Sequence, residues 1–363
     1  MKKKGHTVIF TSLIIFGFTC TVFPSNRTVS YSNTKIAGMG DTKIAGGFNY
    51  NGFNNNPALL KRVKYIRFSL LRIPLSINNH LLDVTNFIYY NKYNFENFNN
   101  LKAEGKEIFL NAFKDYEGEW GYINLSPMFD FAFSYRNHGF GIARYNISEF
   151  GIKTGIANNE PYVWGKGFAR NVYIVGYARP VSFLLPGLTV GINLRYIERR
   201  RINSFQIQTS DLGRLNEISK TISEEFKVKN KTIAFDIGTL CYIPSIKSEI
   251  GATFQSIGDG RGASFDVGIA KQLLWNKLIL LGDYRDILDN NRENIFKKFH
   301  FGTELNYDVF ALRTGINSGY YTLGFGMNFK LIHFDFALFS DETSVASDVY
   351  KDKRMEGQIK LGW

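Results

Sequence analysis

Long apolar runs are nearly absent from this chain of 363 residues. The one that exists runs from Thr7 to Phe23, directly behind Lys2, Lys3 and Lys4. No other segment approaches the roughly 20 apolar residues that a membrane helix needs, which excludes a polytopic helical membrane protein. Cysteine is scarce as well: there are two, Cys20 and Cys241, and Cys20 falls inside the apolar run. With that run removed Cys241 stands alone, so no internal disulfide staples the fold. Proline (8) and tryptophan (4) are sparse, whereas Phe (33), Tyr (20) and Gly (34) are plentiful. Together with a mean hydropathy of -0.16, this composition suits strands whose apolar residues are diluted one-for-one by polar ones.

Motifs for catalysis are missing too. Gly38-Met39-Gly40 lacks the third glycine and the preceding strand of a dinucleotide fingerprint. Gly258-Asp259-Gly260-Arg261-Gly262 sits between two strands and reads as a hairpin turn. Gly165-Lys166-Gly167 has no P-loop around it. His6, His80, His138, His300 and His333 are dispersed, none at ligand spacing with another or with Cys241. His300, alternating with Gly302 and Glu304, reads as a structural histidine. No serine occupies a Gly-x-Ser-x-Gly elbow. The expectation is therefore no enzyme, no metal and no cofactor.

The basic and then apolar start reads as a secretory signal over residues 1–25, with Phe23-Pro24-Ser25 as its exit and a single membrane anchor as the alternative. Phe18-Thr19 before Cys20 does not supply the small residues that a lipidation site needs. The net charge is +12, of which Lys2, Lys3 and Lys4 contribute three. The remaining basic residues scatter through turns and alternating strands without a basic helix, so nucleic acid is not an expected partner. A positively biased lumen would favour anionic solutes.

What the chain does have is alternation. In Tyr321–Ile332, Leu323, Phe325, Met327, Phe329 and Leu331 share one face, against Thr322, Gly324, Gly326, Asn328 and Lys330. Phe129, Phe131, Phe133 and Tyr135 oppose Met128, Asp130, Ala132 and Ser134. Leu188, Val190, Ile192, Leu194 and Tyr196 oppose Thr189, Gly191, Asn193 and Arg195. A continuous large apolar face over a small polar one fits a soluble sandwich or an outer-membrane barrel, whose apolar face meets lipid. Counted along the chain, the pattern gives about fourteen strands from Val63 onward, with short turns on one rim and long loops on the other. The expected fold class is all-β: an antiparallel transmembrane β-barrel. Leu101–Phe113 and Ser210–Phe226 carry helical spacing and predict short helical inserts. Residues 26–62, rich in Gly, Asn and Thr, predict an irregular plug ahead of the barrel at 63–363. An ordinary surface loop is the alternative.

Gly38-Met39-Gly40, Ala45 and Asn56-Pro57-Ala58-Leu60 resemble the N-terminal signature of outer-membrane barrels of the long-chain fatty-acid transporter (FadL) type and of their PorV-like relatives. Gly282-Asp283-Tyr284-Arg285-Asp286-Ile287, Leu312-Arg313-Thr314-Gly315, Leu323-Gly324-Phe325-Gly326 and Phe334-Asp335-Phe336-Ala337 follow in the order of the spirochaete TraF-type conjugal transfer barrels, which this chain resembles most. The resemblance spans residues 30–363. It implies fourteen strands around an N-terminal hatch and uptake of a hydrophobic ligand, released past the hatch or sideways into the membrane. The hatch motif would be Gly38, Met39, Gly40, Asn56, Pro57 and Ala58. No ligand-binding Arg or Lys of the transporters aligns.

Strand parity places Asp130, Arg195, Asp236, Asp283, Arg285, Glu304, Arg313, Lys330 and Asp335 on the lumen side, since Arg or Lys at the lipid midplane costs ~2–4 kcal/mol. They form either a transport path or an internal ion-pair network. The ending Ile359, Leu361 and Trp363 resembles the signal read by barrel-insertion machinery. The expected address is the outer membrane, with its lipid and that machinery as partners. The expected function is binding or transport of a hydrophobic or amphipathic solute such as a long-chain fatty acid. The alternative is a non-transporting barrel that serves as a secretion or assembly partner or a surface-interaction protein.

Overall fold

The computed structural model describes residues 33–46, 52–181, 185–208, 211, 215–226, 228–260, 262–274, 277–289, 294–345 and 348–362. The expected signal at 1–25, the first residues of the expected plug and Trp363 lie outside them. The chain forms one closed antiparallel barrel of fourteen staves, every stave paired with its neighbour in sequence. The strand segments are β1 (Ile66–Asn78), β2 (Trp120–Leu125), β3 (Met128–Tyr135), β4 (His138–Ala157), β5 (Glu160–Pro180), β6 (Leu188–Gln208), β7 (Val228–Ile243) and β8 (Ser248–Ile257). They continue with β9 (Ser264–Leu273), β10 (Leu278–Tyr284), β11 (Phe299–Tyr307), β12 (Phe310–Asn317), β13 (Tyr320–Asn328), β14 (Ile332–Val345) and β15 (Asp348–Gly362).

Two of these segments are a single stave. β2 and β3 both pair with β1 on one side and β4 on the other, and Ser126-Pro127 separates them. Pro127 has no N–H to give to the ladder. The break is bridged instead by Ser126 N donating to Pro74 O and Asn146 N donating to Pro127 O. β1 closes the ring by pairing with β15, from Ser69↔Gly362 to Asn78↔Arg354. A one-residue bulge lies in β1 at Leu70–Leu71, where the register shifts against both neighbours. It puts Leu70 and Leu71 both outward and so lets Ser69 and Arg72 both face inward. The alternation read from Ile66 to Leu70 therefore inverts beyond Leu71.

The outward face is apolar as expected. Leu323 is 57% exposed and its neighbour Thr322 only 1%. Ile192 and Leu194 are exposed while Asn193 and Arg195 are buried. One expected boundary is corrected. β13 ends at Asn328, and Phe329 N donates to Ile332 O across a tight turn. Phe329, Lys330 and Leu331 thus belong to that turn. Six short turns share the rim that also holds the ends of the barrel chain. The opposite rim carries the long connections, including helices Asn79–Tyr90, Ala103–Phe113 and Leu215–Glu225. The walls are unequal in height: β4, β5 and β6 run 20, 21 and 21 residues, whereas β10 and β12 run 7 and 8.

Candidate functional site

The inward face of this barrel is small because something fills it. Residues 33–46 and 52–63 lie almost wholly buried inside the ring of strands. A short helix, Thr34–Ala37, is capped by the Asn33 side chain, which accepts from Ile36 N. A 3-10 turn, Pro57–Arg62, is capped by Asn56, whose Oδ1 accepts from Ala58 N. Pro at the first turn position costs no hydrogen bond there.

Inward glycines make the room. A Cβ at Gly315 would stand 2.4 Å from Gly40 N, and one at Gly302 would stand 2.3 Å from Met39 O. On the far wall, a Cβ at Gly191 would lie 2.5 Å from Ala58 N. Gly139, Gly251, Gly268 and Gly324 meet plug backbone in the same way, while Gly141 and Gly176 meet the Phe53 ring and Gly238 the Asn56 and Pro57 side chains. Several of these are cross-strand partners: Gly141↔Gly176, Gly191↔Gly238, Gly251↔Gly268 and Gly302↔Gly315. The barrel therefore receives its plug backbone against backbone, and all six hatch-motif residues are buried in that contact. Gly40, at φ +64, also needs its freedom from a side chain.

The charges on the inward face hold the first half of the plug. Glu304 lies 2.6 Å from the Lys35 ammonium and 2.7 Å from Nε of Arg313, and Arg313 reaches Asp335 at 2.6 Å. Arg285 pairs with the Asp41 carboxylate at 2.5 Å and with Asp283 at 3.5 Å. Asp283 in turn accepts from the backbone N–H groups of Lys43 (2.7 Å) and Ile44 (3.2 Å). Burial pushes the Asp41 carboxyl up, but Arg285 and Lys43 pull it further down, so it ends well below the usual carboxylate range. Thr34 donates to Glu356, and Thr322 Oγ1 accepts from Gly40 N while donating to Gly38 O. His300 Nδ1 sits 3.1 Å from Gly40 O.

The second half is held by one ion pair, Arg62 with Glu249 of β8, by carbonyl contacts and by packing. Arg195 donates to Asn54 O at 2.5 Å, Asn193 to Phe53 O at 2.9 Å and Gln255 to Asn55 O at 2.6 Å. Asp236 keeps Arg195 in place at 2.5 Å and also accepts from Asn193 and Ser256 N. The Asn56 amide bridges Ile44 O and Thr239 O, tying the halves together. Phe53 lies over Gly141 and Gly176, and Leu60 over Gly139 and Gly141. With Met128, Ala143, Tyr145, Ile147, Val172, Ile174 and Ile197 they form one apolar cluster, and Phe168 packs against it.

Of the nine expected luminal charges, eight face inward and pair. Asp130 meets Arg72 at 3.2 Å. Lys330 is the exception, exposed in the β13–β14 turn, because the strand ends two residues earlier. Ile359 and Leu361 face outward on β15. Arg72, Lys35, Asp41 and Glu356 were not in the expected set. Parity could have found Glu356 by extending the β15 alternation upstream from Ile359. Arg72 was hidden by the bulge, and Lys35 and Asp41 lie on a segment without periodicity.

No protein-family model matches the sequence, and no characterised protein matches it significantly. Solved structures do share the fold. The deltaS2S3 mutant of the TodX monoaromatic hydrocarbon channel superposes with a TM-score of 0.57 at 10% identity, covering 93% of this chain and 99% of that one. The Ralstonia pickettii toluene transporter TbuX gives 0.53 at 13% identity over 92% and 98%. The P. putida toluene transporter TodX gives 0.51 at 11% identity over 92% and 97%. At such identities the shared property is the architecture, a barrel of this kind spanning nearly the whole chain.

Proposed function

We propose that this barrel sits in an outer membrane and carries a hydrophobic or amphipathic small molecule across it, with a long-chain fatty acid as the leading candidate. The observation that carries the reading is the one-sided lumen. Tyr145, Ile147, Phe168, Val172, Ile174 and Ile197, on the tall wall of β4–β6, form an apolar strip that ends on Phe53 and Leu60 of the plug. A solute that leaves water gains about 25 cal/mol per Å² of apolar surface buried. Such a strip is where it would bury that surface. The opposite wall carries the ion pairs to Lys35 and Asp41, while Arg195 and Asn193 of β6 hold Asn54 and Phe53 beside the strip. The strip is packed in this conformation, so an entering solute displaces side chains, Phe53 first, before it can pass the plug.

The toluene and hydrocarbon channels with this fold support the hydrophobic class. The signature around Gly38 and Asn56 supports kinship with the FadL-type barrels, and the order of the distal motifs supports the TraF-type group. The test is uptake of a labelled long-chain fatty acid, with toluene alongside, by cells with and without the gene. A Val172→Asp variant should abolish the difference, and equal uptake with and without the gene would overturn the reading.

A second reading rests on how tightly the plug is fixed. Glycines on nine strands touch it, and ion pairs fasten both halves, Lys35 and Asp41 in the first and Arg62 in the second. A static plug suits a barrel that serves as a secretion or surface-interaction partner, and that reading expects no solute uptake at all.

A further inference from the structure

The rim where the chain ends and the short turns gather carries a ring of charge of one sign. Arg136 lies in the β3–β4 turn, Arg179 at the end of β5, Lys247 in the β7–β8 turn and Lys271 at the end of β9. Lys277 precedes β10 and Lys330 lies in the β13–β14 turn, and all six side chains are exposed. The β11–β12 turn alone carries an exposed acid, Asp308. None of the six makes an ion pair with a described residue. The other rim is different, since its helical connection mixes Asp83, Glu104, Glu107 and Glu119 with Lys92, Lys106 and Lys114.

Two of these cations show the depth at which the ring sits. The Arg136 guanidinium lies 5.2 Å above the Tyr135 ring, and the Lys277 ammonium 5.6 Å above the Tyr307 ring. Both tyrosines are exposed, on the outward face of their strands. Outward tyrosines at a strand end mark the boundary between hydrocarbon and headgroups. Cations leaning on them project from that boundary into the headgroup layer, with their stems along the apolar surface. Unpaired cations there meet anionic lipid, whose surface attracts them at about 1 kcal/mol each.

We propose that this rim binds anionic phospholipid headgroups, so that the barrel gathers acidic lipid around its turn-side leaflet. The occupant is lipid rather than a soluble acidic protein because the ring follows the lipid boundary and leans on lipid-facing rings. A soluble partner would call for charge gathered across the mouth.

The test uses the full chain in nanodiscs of phosphatidylcholine mixed with phosphatidylglycerol, and measures the ratio of the two lipids retained around the protein by native mass spectrometry. The native chain should retain phosphatidylglycerol in excess, and raised salt should abolish the excess. The combined variant Arg136→Gln, Arg179→Gln, Lys247→Gln, Lys271→Gln, Lys277→Gln and Lys330→Gln should return the ratio to that of the bulk mixture, with single substitutions lowering it by up to about fivefold each. An excess that survives the six substitutions would overturn the proposal. So would a native chain that shows no excess at low salt, a result that stands even if the variant fails to fold. A third contrary outcome is polyglutamate binding the detergent-solubilised protein at this rim while lipid retention stays unselective, which would assign the surface to a soluble acidic partner.

Discussion

The two halves of the plug are held by different physics. Residues 33–46 rest on β9–β15 through ion pairs, Lys35 with Glu304 and Asp41 with Arg285, and through backbone N–H groups given to Asp283. Residues 52–62 rest on β3–β8 mainly through carbonyls accepting from Asn193, Arg195 and Gln255, and through Phe53 and Leu60 packed onto glycines, with a single ion pair, Arg62 with Glu249, at the end of the segment. The charged half is directional and costly to disturb, since a buried carboxylate left without its partner is strongly unfavourable. In the second half, the packing of Phe53 and Leu60 on glycines is a contact that another apolar molecule can replace. On the proposed function, that contrast gives most of the charged anchoring to one wall and the solute to the other.

The largest effect should come where the two kinds of attachment meet. Arg195→Met removes the partner of Asp236, which is fully buried, and also the donor to Asn54 O. Denaturant unfolding in detergent should show a loss of about 3–5 kcal/mol. Arg313→Met should cost less, because Lys35 still neutralises Glu304 and Gln358 still donates to Asp335. If the two variants lose equally, the carbonyl-held half has no special dependence on Arg195.

Gly191→Val sharpens the comparison from the packing side. The new side chain meets Pro57 and Ala58 and should cost about 1–3 kcal/mol, with a rise in single-channel conductance as the plug shifts. Gly357, with nothing within 4 Å of its Cβ position, provides the control: Gly357→Ala should leave conductance unchanged.

Acid should loosen the half held through Asp41. A carboxyl whose folded pKa is depressed adds stability above its unfolded value, near 4, and that stability disappears as pH falls through the folded value. Asp41 is held well below the usual range. Spin-label distances from residues 33–46 to the wall should therefore hold through mildly acidic pH and lengthen only in strong acid. Lengthening near neutrality would contradict the Asp41–Arg285 attachment. The smallest effect belongs to Lys330→Gln, an exposed turn position, which should change stability by less than about 0.5 kcal/mol.

Much of this barrel was legible from parity. A period of two assigns each residue to lipid or lumen once one face is recognised as apolar, and eight of nine charges followed. The errors arose where parity breaks. The bulge at Leu70–Leu71 hid Arg72, and a strand carried too far into its turn misplaced Lys330. The plug was recognisable by its glycines and Asn56-Pro57, but its docking was not. Lys35–Glu304 and Asp41–Arg285 join residues more than two hundred positions apart. The inward glycines looked only like the small half of an alternation. That they are the imprint of a second backbone became visible only with that backbone in place.

Photo-labelling with a diazirine-bearing long-chain fatty acid tests the divided lumen most directly. Labels mapped by mass spectrometry are expected on the β4–β6 strip, at Ile147, Val172, Ile174 or Ile197, and on Phe53. Labelling confined to the lipid-facing surface, or spread evenly over the charged wall around Asp283 and Glu304, would contradict the assignment of the apolar wall to the solute.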